Sequence, residues 1–308
     1  MEKIGNTWEL IKQSFTVLKS DKELMLLPIA SAISCLMVSV LVLGGGALVL
    51  YPEMQSATAA GGSWQADPST VTLGLFVFYF ANYCVIVFFN VALIAGAYHR
   101  MAGRSLTLRE MLSEAWARKG RILQWAVLAA TVGVLLKLLE RRVRWVGQIV
   151  IRLIGLAWAL ASFFVAPVLA FEDLGPVDAL KRSAGLLREN WGKELVGGFS
   201  FGVIFFLLSL PAFALGAVAM LFGGAIGVLS VPPQSPSEFQ VAAWRHDALI
   251  GLALGGVLMI LYFLLLAVVR AAVRGIFVAA LYRYASTHQV AAGFRAELFE
   301  KAWLPKRA

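Results

Sequence analysis

From Leu24 to Tyr51 the chain carries no Lys, Arg, Asp or Glu, and the same holds from Val71 to Tyr98. A helix of about 20 apolar residues spans the roughly 30 Å hydrocarbon core of a bilayer. Runs of this length restrict the chain to membrane-crossing helices, because backbone polar groups in lipid must be satisfied within the segment itself. Composition agrees: of 308 residues, 60% are hydrophobic and 15% charged, against about 45–50% and about 25% in soluble proteins. Too few polar residues remain to coat a soluble core.

Six spans are expected, at Leu24–Tyr51, Val71–Tyr98, Ile122–Leu139, Trp145–Phe171, Leu195–Leu229 and Ala248–Val269. They predict an all-α integral membrane protein of three hairpins. It reads as one polytopic domain over 1–308, with an amphipathic N-terminal helix at 1–23, the bundle at 24–282 and a cytoplasmic tail at 283–308. Of the 27 Lys and Arg, 21 fall in 1–23, 99–121, 172–194 and 270–308, and six in 52–70, 137–152 and 230–247. The positive-inside rule then puts both termini in the cytoplasm and the protein in the cell inner membrane. The same rule accounts for the net charge of +9, so no nucleic-acid partner is needed to explain it. The opening "MEKIGNTWELIKQSF" lacks the apolar core and cleavage site of a signal peptide, which predicts an uncleaved first span. Cys35 and Cys84 lie in apolar spans, where free cysteine acts as a small hydrophobe. The connectors at 51–70 and 230–247 are rich in Gly, Pro, Ser and Gln and read as exposed loops.

Each cytoplasmic segment that feeds an outbound span has the spacing of an amphipathic helix. The first places Ile4, Trp8, Ile11, Phe15 and Leu18 on one face, the second Leu108, Met111, Leu112, Ala115 and Trp116, the third Leu180, Ala184, Leu187 and Trp191. Such helices lie in the headgroup plane with lysines toward anionic lipid, the one partner these faces imply directly. Ser20 and Glu23 have the spacing of a capping box at the start of the first span.

Three stretches, "WELIKQSFTVLKSDKELMLLP", "FFVAPVLAFEDLGPVDALKRSAGLLRENWGKELVGG" and "VAALYRYASTHQVAAGF", together resemble an uncharacterised prokaryotic membrane family, domain of unknown function 6159. That family is similar in turn to the multi-helix membrane region attached to some glycerophosphodiester phosphodiesterases. The resemblance covers nearly the whole chain and implies the multi-pass architecture. It implies no activity, since the phosphodiesterase reaction belongs to a separate soluble domain.

The residues advertise no catalytic set. His99, His246 and His288 have no metal-ligand spacing, and HExxH, GxSxG, CxxC and phosphate-binding glycine loops are absent from the sequence. The expectation is a protein that is not an enzyme and needs no cofactor or metal. Several ionisable and amide groups at membrane depth remain as candidates. Glu172 and Asp173 end the fourth span, either as an interfacial cap or in a proton- or metal-linked role. Arg270 and Arg274 end the sixth, either snorkelling to headgroups or pairing with those acids. Asn82 and Asn90 share a face of the second span, as interhelical glue or a polar cavity wall. Pro211 lies midway in a fifth span about 50 Å long, well over the core thickness, and predicts a kink there. The pairs Gly198/Gly202, Gly223/Gly227 and Gly251/Gly255 allow close helix approach.

One stretch departs from positive-inside order. "KLLERRVRWVGQIVIR", Lys137 to Arg152, holds five of the six misplaced basic residues. If it were one continuous helix, Lys137, Arg141, Arg144, Gln148 and Arg152 would share an arc of about 80°. Facing lipid, four such charges would cost about 10–14 kcal/mol. Two readings stay open: a tight turn at the outer headgroups, or a stripe that faces water. The second suggests an oligomeric pore or transport pathway whose basic mouth favours anions. The alternative function is a non-conducting scaffold or lipid-interacting protein that docks partners through its amphipathic helices.

Overall fold

The computed structural model describes residues 2–143, 145–191, 205–211, 213–214, 218 and 238–295. Among these the chain is helical, with no strand. The helices are α1 (Glu2–Ser20), α2 (Glu23–Ala59), α3 (Pro68–Met101), α4 (Leu108–Ala117), α5 (Lys119–Arg142), α6 (Trp145–Ala161), α7 (Val165–Phe171), α8 (Pro176–Trp191) and α9 (Glu238–Thr287). Five segments among them are long and apolar enough to cross a membrane: α2, α3, Lys119–Glu140, Gly147–Phe171 and Gly256–Thr287. The expected fifth span, with its Gly198/Gly202 and Gly223/Gly227 pairs, lies largely outside the described residues. Pro211 is the last residue of a helical stretch at 205–211, and Ala212 is not described.

The connectors are more helical than their composition suggests. α2 continues through Pro52 to Ala59, and α9 already begins at Glu238. Asp67 caps α3, its carboxylate accepting from the Ser69 and Thr70 amides, with Pro68 in the first turn where its missing N–H costs nothing.

The chain divides into two compact units, residues 1–8 with 196–271, and 9–195 with 272–308. Within the first, the Tyr262 hydroxyl donates to the Leu208 carbonyl at 2.8 Å, and Phe213 meets Phe263 edge-on.

Within the second, α3 is the axis, packing against α2, α4, α5 and α7. Its run Val91–Ala97 is buried on every side. Two glycines permit this. A Cβ on Gly96 would collide with Met111 Sδ of α4, and one on Gly275 of α9 with Leu93 Cδ2. The small residues let backbones approach as they do between membrane helices.

The amphipathic helices are present; their buried faces share Ile11 and Leu18 in α1 and Met111 and Ala115 in α4 with the expected ones, and differ elsewhere. In α1 the buried residues are Leu10, Ile11, Ser14, Val17 and Leu18, while Trp8 and Phe15 are exposed. In α4 they are Met111 and Ala115, with Trp116 62% exposed. In α8 they are Ala179, Ser183 and Leu186, one position before the expected Leu180, Ala184 and Leu187.

The capping box also sits elsewhere. Ser20 Oγ donates to the Val17 carbonyl, and Lys22, the residue before α2, makes no side-chain cap. The box with this spacing is Thr107/Glu110, at the start of α4. Glu23 is drawn off to the same place, its carboxylate accepting the Leu108 amide at 2.6 Å.

The fourth span is not one helix. α6 stops at Ala161 and α7 starts at Val165. Pro167 has no N–H to offer the Phe163 carbonyl, so an uninterrupted helix would leave that group bare and clash there. In the third position of a new helix the proline is harmless.

Candidate functional site

Polar and charged groups of the second unit gather where α7 hands over to α8. Glu172 ends α7 with extended backbone, and its amide still donates to the Val168 carbonyl. Gly175 and Pro176 then open α8, the Gly175 carbonyl accepting the Ala179 amide at 2.8 Å. This tight corner presents the Glu172 carboxylate to three elements. Arg182 Nε of α8 donates to both its oxygens, at 3.2 and 3.1 Å. The Tyr282 hydroxyl of α9 donates to Oε1 at 3.0 Å, from a side chain only 4% exposed. Arg121 of α5 donates to the Glu172 main-chain carbonyl at 2.7 Å and pairs with Asp173 at 2.6 Å. Asp173 is almost wholly solvent-exposed, so that pair is worth little. The Glu172 pair is better sheltered and hydrogen-bonded on both oxygens. Glu172 and Asp173 thus pair with Arg182 and Arg121. In the first unit, Arg270 lies over the Phe205 ring at 5.7 Å.

An aromatic stack leads away from this pair. Tyr282 stacks on Phe171 with centroids 5.8 Å apart, and Phe171 lies 4.4 Å from Tyr98 of α3. Over the Tyr98 ring, at 5.2 Å, sits the guanidinium of Arg283. Its Nε and Nη1 are buried and have no hydrogen-bond partner among the described residues. A buried donor left unmade costs about 1–3 kcal/mol. A cation over an aromatic face recovers about 0.5–2 kcal/mol, so Arg283 is only partly compensated.

Nearby contacts are structural. His99 Nε2 lies 3.4 Å from Glu114, which also holds Arg118 at 3.2 Å. Arg100 donates to the Ser20 carbonyl and to Ser105 Oγ. The Phe164 amide, freed by the break between α6 and α7, donates to Ser183 Oγ of α8 at 2.9 Å, with Ser183 fully buried. The amide a helix break would orphan is thus satisfied by the neighbouring amphipathic helix.

The basic stretch does not form one helix. α5 ends at Arg142, Val143 is extended, and α6 begins at Trp145. A Cβ on Gly147 would fall 2.7 Å from Val143 Cβ, so the turn closes onto a bare glycine. The arc that one continuous helix would have given Lys137, Arg141, Arg144, Gln148 and Arg152 is therefore broken at Val143, in keeping with the reading of this stretch as a turn. Lys137 pairs with Glu140 at 3.5 Å, Gln148 is half-buried and Arg152 exposed. Arg141 lies on α5, and Arg144 is outside the described residues.

Asn82 joins two spans: Ser39 Oγ of α2 donates to its Oδ1 at 3.1 Å, and its Nδ2 donates to the Phe78 carbonyl. Asn90, one of the pair read onto the same face, is exposed. No group of three or more His, Cys, Asp or Glu gathers as a metal site among the described residues.

Sequence reasoning found Glu172 and Asp173 and missed Arg121, Arg182, Tyr98, Tyr282 and Arg283. The available signal was their position, an ionisable or amphipathic side chain in the last turns of a span or the first turns of the next helix.

A family described as of unknown function, DUF6159, matches residues 69–294. No curated protein and no solved structure matches the chain.

Proposed function

Since the chain belongs to DUF6159, a family of unknown function, its role has to be read from its own geometry, and we propose that it is a non-enzymatic, lipid-interacting scaffold of the cell inner membrane. Both termini then lie in the cytoplasm, and α1, α4 and α8 rest at the inner headgroups. One recurring arrangement carries the reading. At the end of α1, Lys19 Nζ lies over the exposed Phe15 ring at 5.1 Å. At the junction of α4 and α5, Lys119 Nζ lies over the exposed Trp116 ring at 4.7 Å. An aromatic side chain left out of the core with a lysine above it matches the headgroup boundary, where rings settle at the acyl interface and ammonium groups reach anionic phosphates. Likeness to the membrane region attached to some glycerophosphodiester phosphodiesterases belongs to this proposal and carries no catalytic claim.

The experiment is Trp116 fluorescence in proteoliposomes carrying quenchers at headgroup or mid-chain depth. We expect strong quenching at headgroup depth and a preference for phosphatidylglycerol over phosphatidylcholine that Lys19→Gln with Lys119→Gln reduces. Quenching by mid-chain groups alone, or indifference to lipid charge, overturns it.

A second reading is an oligomeric anion pathway with the turn between α5 and α6 at its mouth. The exposed Lys137, Arg142 and Arg152 near that turn favour it. Anion flux through proteoliposomes that falls when Lys137 and Arg152 are neutralised would establish it in place of the first.

A further inference from the structure

We infer that Arg283 is an anion-binding residue and that its ligand is the phosphate of a membrane lipid headgroup. The inference rests on the lipid-interacting reading and gives it a specific site. Arg283 lies on α9 four residues before the helix ends at Thr287, just ahead of the last turn of a candidate span, where headgroups are in reach. The Tyr98 ring holds its guanidinium at 5.2 Å, and its buried Nε and Nη1 meet no acceptor among the described residues. The nearby carboxylate of Glu172 is already taken by Arg182 and Tyr282, and Glu114 by Arg118 and His99. Among the described residues, both of these carboxylates are already partnered. A planar, permanently charged group with several N–H donors matches the oxygens of a phosphate better than any other headgroup atom set. A phosphodiester brought from the bilayer would supply the missing acceptors. Free inorganic phosphate offers the same chemistry, and the experiment separates the two.

The full chain in a neutral detergent is titrated with phosphatidylglycerol, phosphatidylcholine or inorganic phosphate, and binding is followed by native mass spectrometry and thermal melting. Phosphatidylglycerol should bind and raise the melting temperature. Arg283→Gln should weaken that binding about tenfold or more, as loss of a charge-assisted hydrogen bond does. It should leave the lipid-free melting temperature level or higher, because a poorly compensated buried charge is gone. Arg283→Lys should bind with intermediate strength, and Arg295→Gln like the parent chain. Unchanged phosphatidylglycerol binding in Arg283→Gln overturns the site while leaving the lipid reading intact. No response to any lipid in the parent chain overturns both. A shift reproduced by inorganic phosphate alone at millimolar concentration overturns the lipid source.

Discussion

The second unit has two unlike ends. Where α1, α4 and α8 meet the spans, whole runs are buried: Val91–Ala97 of α3, Phe164, Val165 and Pro167–Ala170 around the start of α7, and Ala272, Val273 and Gly275–Tyr282 of α9. At the other end no residue from Pro28 to Ile86 is buried, and side chains such as Leu41 and Leu48 are almost bare. Both ends are apolar, so composition does not separate them. The solvent does. Lipid tails are as apolar as leucine, so packing leucines together within the bilayer gains little. At the headgroups water is present, burial is driven by the hydrophobic effect, and polar groups need partners. The dense packing and most of the ion pairs concentrate at the first end, while the other keeps the Asp67 cap of α3.

The largest test of this contrast is steric. Gly96→Leu and Gly45→Leu are the same change at the two ends. At Gly96 the new side chain meets Met111 and Leu24, while around Gly45 nothing lies within 4 Å. Gly96→Leu should destabilise the protein in detergent by about 3 kcal/mol or more, whereas Gly45→Leu should change it by less than about 0.5 kcal/mol. Equal melting shifts for the two would show that the loose end is packed after all.

What the sequence made legible follows the same division. Long uncharged runs fix the spans because lipid tolerates nothing else, and α2, α3 and α5 each contain the expected segment. The dense end was harder to read because tertiary contacts choose among local options. "SDKE" and "TLRE" satisfy one capping pattern equally, and only the second forms it. Glu23 is used across space by the Leu108 amide, a choice no local spacing encodes. The α8 stripe is displaced by one residue for a similar reason. Ser183 is polar, and a hydropathy pattern places it outward, yet the Phe164 amide needs an acceptor and turns it in. Pro167 carried a readable sign of that break. The sequence left a turn and a continuous helix both open at the basic stretch, because Val143, which leaves the helix, and its neighbours Arg142 and Arg144 give no breaker signal.

Serines sharpen the contrast with a smaller effect. Ser183→Ala removes the acceptor of a buried main-chain amide and should cost about 1–3 kcal/mol. Ser39→Ala at the loose end removes one hydrogen bond to Asn82 between α2 and α3, and should cost about 0.6 kcal/mol, the usual value inside a bilayer. Thermal unfolding of both variants in one detergent measures the difference. A larger loss for Ser39→Ala would mean that the interior of the bundle carries the stability.

The smallest effect is a dependence on pH at the dense end, where α4 begins. The Glu110 carboxyl is held below its ordinary value of 4.5, first by the Thr107 amide and then by the Thr107 hydroxyl. A group with a depressed pKa stabilises the folded state fully above its unfolded value and loses that contribution as pH falls through the folded one. The start of α4 should therefore be indifferent to pH between about 7 and 5, and should loosen only below the ordinary glutamate range. Hydrogen exchange at the Glu110 amide, which donates to Thr107 Oγ1, should accelerate on that acid side beyond the intrinsic trend. Glu110→Gln should abolish the pH dependence while keeping the hydrogen bond to Thr107, since an amide oxygen still accepts. A pH response that survives in Glu110→Gln would overturn the assignment of that loosening to the cap of α4.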